Sequence, residues 1–266
     1  MLRIGAVSYL NTKPLIAGLH QRLGRRGRLV LDLPSRLAER LAAADLDVAL
    51  IPSVEAMRDA GYRTVSDAVI ACRGPVWSVR LLSRVPVPKM RTLALDEGSR
   101  TSAAMLRVLL AERHGLFPSL VPLPIDQSPE SADADAVLLI GDRAMHPARG
   151  VYQEIWDLGD RWCRWTELPF VFAMWVARPG VDTDDLAGIL EASRDEGVAA
   201  SEQIARREAA THGLTTEDLH RYFVENLHFR LGPGERAGLE SFRQRASRLG
   251  LIPPQTISDT PSGVTT

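Results

Sequence analysis

Apolar residues along the first fifty positions switch between two spacings. Leu2 to Val7 form a short run that predicts a strand, helical spacing follows from about Thr12 to Leu23, and Leu29 to Leu33 predict a second strand. An amphipathic helix is predicted from Ser35, then a buried strand over Val48-Ala49-Leu50-Ile51. Pro14 and the pair Pro34-Ser35 mark helix starts, because proline's missing N–H costs nothing in a first turn and a serine hydroxyl can cap. This alternation argues for parallel α/β packing.

Strands are also predicted at Thr64 to Ala71 and Val76 to Ser83, before Pro86-Val87-Pro88 breaks the pattern. A second α/β unit is predicted beyond it, with a strand Thr92 to Leu95, a helix Thr101 to Arg113 striped by Leu106, Leu109 and Leu110, and a strand Ala136 to Ile140. Trp156, Trp162 and Trp165 are assigned to one helical stretch, as packing between units. Phe170 to Ala177 reads as a long return strand, helical spacing runs on to about Leu249, and the Ser/Thr/Pro-rich tail from Pro253 is expected to fray. Two α/β units, a proline-rich exit and one return strand predict a two-lobed α/β protein with a ligand cleft between the lobes. Residues 1–88 plus 175–266 form lobe one and 89–174 lobe two.

Charge adds little to this picture. With 32 Lys+Arg against 33 Asp+Glu the net charge is -1, so no bulk field recommends nucleic acid or a membrane surface as partner. No apolar run is long enough to span a bilayer, and MLRIGAVSYLN enters a strand with no basic region or long apolar region before it, so no export signal is expected. Cys72 and Cys163 have neither metal-ligand spacing nor disulfide density, and reduced thiols in a cytoplasmic protein are expected. No motif fixes the oligomeric state.

In parallel α/β units, binding groups gather beyond the C-terminal ends of strands, where the next helix presents unpaired N–H groups. Four such junctions carry small polar residues: Ser8-Tyr9-Leu10-Asn11, Pro52-Ser53, Gly98-Ser99-Arg100-Thr101-Ser102 and Gly141-Asp142. One hydroxyl suffices to cap a helix. Several hydroxyls, a glycine permitting close backbone approach, a positive helix end and a forked arginine together make a carboxylate or phosphate site, against the alternative of an ordinary cap with solvated neighbours.

Ser8, Asn11 and Ser53 can likewise cap or face the cleft, and Asp142 can cap or act as a general base, with the cap favoured. Lys13 is considered for a Schiff base, but its place before Pro14 favours the surface. The six histidines form no HExxH, and GxSxG, the Walker loop and GxGxxG are absent, so no metal, cofactor or nucleotide is expected.

The strings RIGAVSYLNTKPLI, DVALIPSVE, RGPVWSV, ALDEGSRTSAAMLRVLL, LLIGDRAM and RWTELPFVFAMWVARPG, in this order, resemble the chorismate dehydratase family of the futalosine route to menaquinone. The resemblance implies a periplasmic-binding-protein-like type II fold working in the cytoplasm. It implies loss of water from chorismate, a small dianion, to give 3-(1-carboxyvinyloxy)benzoate, without a cofactor. It also implies carboxylate binding by Ser99, Arg100 and Thr101 in SRTS, and cleft-facing roles for Ser8, Asn11, Ser53 and Ser78 in SYLN, IPS and GPVWS. Asn11 would orient the leaving hydroxyl or the base. A sister family, the dihydroxynaphthoate synthases, tends to carry a histidine where Gly141 stands here. The glycine favours the dehydratase; Ala71-Cys72 stands where a more polar pair is expected. A solute receptor and the ligand-sensing domain of a regulator are the competing classes, disfavoured by the missing export signal and by the lack of a preceding helix-turn-helix.

Overall fold

The computed structural model of the chain describes residues 1–59, 61–146 and 150–254. The chain opens with β1 (Leu2–Val7), α1 (Leu19–Leu23), β2 (Gly27–Asp32), α2 (Pro34–Ala42), β3 (Val48–Pro52), α3 (Ser53–Arg58) and β4 (Arg63–Cys72). Next come β5 (Val79–Ser83), β6 (Thr92–Asp96), α4 (Thr101–His114), β7 (Ser119–Leu123), β8 (Ala136–Ile140), β9 (Glu154–Asp157) and α5 (Leu158–Thr166). β10 (Phe170–Ala177), α6 (Leu186–Ala199), α7 (Ser201–Glu208), α8 (Thr216–Arg221), β11 (His228–Arg230) and α9 (Pro233–Arg248) complete it.

These strands make a six-stranded sheet, β11-β4-β10-β3-β1-β2, and a five-stranded sheet, β7-β6-β8-β5-β9. In the first, β1 lies parallel to β2 and β3, while the return strand β10 runs antiparallel to β3 and β4. In the second, β6 lies parallel to β7 and β8, and β5 runs antiparallel to β8 and β9. The two parallel sets point β1, β3, β6 and β8 at one shared gap. No helix among the described residues is long and apolar enough to cross a membrane.

Local chemistry explains most elements. Pro34 occupies the first turn of α2, whose Leu37, Ala38 and Leu41 are buried on one stripe. β3 and β8 are buried at every position, as strands covered on both faces must be. Where α5, β10 and α9 meet, Trp162, Phe170 and Phe242 stack edge to face at 5.0 to 5.9 Å, each pair adding about 1 kcal/mol beyond burial.

Several expectations need correction. The first helical stretch is a 3-10 segment, Leu10–Ile16, separated from α1 by Gly18 at φ 64, because Pro14 withholds an interior N–H. The strand expected from Val76 starts at Val79, since Trp77 turns the chain with φ 62. Trp156 belongs to β9 rather than to a helix. β7, β9 and β11 escaped notice because they are three to five residues long and mostly not buried, so no alternation develops. The expected lobe boundaries also shift. β5 pairs with β8 and β9, so the chain leaves the first sheet after Cys72 rather than at residue 88, and it returns at Phe170 rather than after 174. Pro86-Val87-Pro88 is a turn within the second unit. Beyond Pro254 the tail lies outside the described residues.

Candidate active site

A cleft with about 510 Å³ of empty space opens between the two sheets at the C-terminal ends of β1, β3, β6 and β8. One wall is the turn between β6 and α4. Asp96 ends the strand and holds the turn twice, its Oδ1 accepting from the Gly98 N–H at 3.0 Å and its carbonyl from the Ser99 N–H at 2.9 Å. Ser99 Oγ then accepts from the Ala103 N–H at 3.1 Å in the first turn of α4. α4 is 14 residues long, so its positive end, carrying Thr101 and Ser102, faces the cleft with a full macrodipole behind it.

Several contacts bind this turn to the other unit, among them Arg36 of α2 donating to Glu97 Oε1 at 3.0 Å. Thr101 Oγ1 accepts from the Val54 N–H of α3 at 3.2 Å, and the exposed Arg100 reaches Glu39 Oε1 on α2 at 2.6 Å. Behind the turn, Asp96 is buried, and that burial raises its carboxyl; Arg143 at 3.3 Å and the Gly98 N–H oppose the shift.

The facing wall comes from the segment after β1 and from the crossing between β4 and β5. Asn11 lines the cleft half-buried, its Oδ1 accepting from Thr12 Oγ1 at 3.2 Å and its side chain also hydrogen-bonded to the Tyr222 phenol. Ser78 is buried, with its Oγ accepting from Tyr222 Oη at 2.8 Å, which leaves the serine proton free to donate. Burial pushes the Tyr222 phenol far up, so it stays a donor. The strained Trp77 is fixed by Asp157: one carboxylate accepts from the Val76 and Trp77 N–H groups at 2.6 to 3.0 Å and also caps α5 through Asp160 N.

The cleft thus gathers Asn11, Ser78, Ser99, Arg100, Thr101 and Gly141. It does not gather the other three expected residues. Ser8 is exposed, its N–H spent on Asp32 O. Ser53 is fully buried behind the wall, donating to Val171 O at 2.7 Å. Asp142 lies behind Gly141, its Oδ1 accepting from the Leu10 N–H at 3.0 Å and its Oδ2 standing 3.7 Å from His212 Nε2, while burial raises its carboxyl. Lys13 pairs with Glu208 at 2.9 Å. Tyr9, Asp157 and Tyr222 are residues that sequence reasoning missed. Only Asp157 left a signal, as a helix cap before Leu158-Gly159-Asp160.

Comparison with known proteins adds the following. A family described as menaquinone biosynthesis matches residues 2–248. A relative from Thermus thermophilus, chorismate dehydratase, is 31% identical, the match covering 93% of this chain and 95% of that one. Protein AF1704 of Archaeoglobus fulgidus is similar in structure, with a TM-score of 0.74, 17% identity, and coverage of 94% of this chain and 98% of that chain. The periplasmic aliphatic sulphonate binding protein SsuA of Escherichia coli is also similar, with a TM-score of 0.57, 16% identity, and coverage of 96% and 89%. At these identities the structural neighbours speak for the periplasmic-binding-protein fold alone.

Proposed function

Because the chain belongs to the menaquinone biosynthesis family, we propose that it is a hydro-lyase that removes water from chorismate to give 3-(1-carboxyvinyloxy)benzoate. One observation carries this reading. An anion-holding turn at a helix start faces Asn11 and Ser78 across a cleft whose described lining contains no carboxylate and no imidazole. Such a cleft suits a substrate that brings two carboxylates of its own and needs donors rather than acceptors.

The ring proton to be lost is conjugated through one double bond to the ring carboxylate. Donors on that carboxylate, at the Ser99 to Thr101 turn, stabilise the dienolate as the C–H bond breaks. With Asp142 turned to Leu10 and burial keeping Tyr9 protonated, no lining side chain can take the proton. The substrate's enolpyruvyl carboxylate, held close, takes it instead. The electron pair then returns from the dienolate, the C–O bond breaks, and the hydroxide leaves with that proton as water while the ring becomes aromatic. Asn11 donates to the departing oxygen. The reaction is redox-neutral and complete in atoms.

We place this work in the reducing cytoplasm, where Cys72 and Cys163, whose thiols contact each other, would stay unlinked. Purified protein incubated with chorismate should yield the aromatic product, followed by chromatography and ultraviolet absorbance. Chorismate bound but returned unchanged would favour a solute receptor, and chorismate ignored would leave neither reading standing.

A further inference from the structure

Tyr9 is the first buried side chain after β1, and it crosses into the other unit. Its ring lies on Gly141, where a Cβ would fall 2.7 to 2.8 Å from Cδ2, Cε2 and Cγ. Its hydroxyl lies on Gly98, where a Cβ would fall 2.7 Å from Oη. Gly141 has φ +61 and needs glycine on backbone grounds as well. Gly98 has no such conformation, so the approach of Tyr9 is what explains a glycine there. The glycine that the sequence offered as room for a ligand is occupied by a side chain of the protein itself.

The Tyr9 hydroxyl is also buried with no hydrogen-bond partner among the described residues. A buried, unpaired hydroxyl works against folding, so packing alone would favour phenylalanine. What the hydroxyl does contribute is reach, since it meets the backbone of the anion turn at Gly98. Asn11 stands two residues further along the same segment, on the opposite wall of the cleft.

We propose that Tyr9 is a positioning residue, seated between Gly98 and Gly141 so that it sets the span between the anion turn and Asn11. Its consequence for chorismate rests on the reaction proposed above. Tyr9 transfers no proton. It acts through the turn, by fixing where a carboxylate held there stands relative to Asn11. A misplacement near 1 Å costs an oriented reaction on the order of a hundredfold.

The test is a double-mutant cycle on Tyr9→Phe and Gly98→Ala, read in KM and kcat for chorismate and in melting temperature. Tyr9→Phe keeps the ring and removes only the atom that the new methyl would strike, so both variants can be expected to fold. In the Tyr9 protein, Gly98→Ala should raise KM for chorismate by about tenfold or more; in the Tyr9→Phe background the same change should raise it less than about threefold. Melting temperature should show coupling of the same sign. Coupling in melting temperature without coupling in KM would reduce Tyr9 to a packing contact and overturn the proposal, as would equal effects of Gly98→Ala in both backgrounds. Should the wild-type chain leave chorismate unchanged, the proposed reaction falls, and the seat is decided by melting temperature alone: additivity overturns it, and coupling keeps Tyr9 as the gauge of this cleft for another ligand.

Discussion

The two walls of the cleft are built on different principles. The turn from Asp96 to Ala103 is held by residues within itself: Asp96 grips Gly98 and Ser99, and Ser99 grips Ala103. The opposite wall is assembled from afar. Asp157 holds Val76 and Trp77 across roughly eighty residues of chain, and Tyr222 reaches Ser78 across 144. The local wall is held mainly by several short-range bonds and can lose an outlying contact such as that of Arg100 with Glu39, whereas the assembled wall depends on single distant anchors.

The largest effect should come from the working group of the assembled wall. Asn11→Ala should lower kcat on the order of a hundredfold by removing a donor to the departing oxygen. Its side chain is hydrogen-bonded to Thr12 and to Tyr222, both neutral partners, so unfolding free energy should change by no more than about 2 kcal/mol. Steady-state kinetics beside urea unfolding check both halves, and near-normal turnover would take Asn11 out of the reaction. Next comes the anchor. Asp157→Ala leaves the Val76, Trp77 and Asp160 N–H groups without an acceptor, and should cost about 3 kcal/mol of stability while kcat/KM falls at least tenfold. A stable variant with intact kinetics would show that the crossing keeps its shape unaided.

This same contrast explains what the sequence could say. Gly98-Ser99-Arg100-Thr101-Ser102 was legible because its contacts lie within a few residues and match the grammar of a helix start. Strands β1, β3, β6 and β8 were legible because burial on both faces leaves continuous apolar runs. Tyr222 and Asp157 were not, since their partners are set by how α5 and the C-terminal segment pack. Asp142 was misjudged as a possible cleft group because position in sequence cannot tell the front of a turn from its back; its carboxylate turned toward Leu10. Ser53 went the same way, drawn behind the wall by the carbonyl of Val171.

A milder result is expected from the local wall. Arg100 is exposed and paired with Glu39, and such pairs add less than about 1 kcal/mol. Arg100→Ala should therefore leave stability nearly unchanged and raise KM for chorismate by about fivefold, because backbone donors and hydroxyls remain at the turn. Arg100→Lys should stay near the wild-type KM if the residue supplies charge, and should be impaired like Arg100→Ala if the forked geometry matters. A loss of folding in Arg100→Ala would break the claim that this wall is held mainly by its short-range bonds.

The smallest effect on the reaction belongs to the far end of the same strands. Asp47 stands before β3, where Arg3 donates to it from the backbone at 2.8 Å and from its guanidinium at 2.8 and 3.1 Å, and Arg178 adds another bond at 2.8 Å. The Arg3 hydrogen bonds, with those of Arg178, hold the Asp47 carboxyl well below the usual carboxylate range, against the opposing effect of burial. A carboxyl depressed on folding binds its proton more weakly in the folded chain than in the unfolded one. Its stabilisation is therefore complete above the unfolded value of about 4 and fades as pH falls below it. Asp47→Asn should be less stable than wild type at pH 7, and the gap in urea midpoints should narrow below about pH 4. KM and kcat for chorismate should not move, since these strand ends face away from the cleft. A gap that stayed constant from pH 7 to pH 3 would mean that the arginines hold Asp47 no more tightly in the folded chain than water does in the unfolded one.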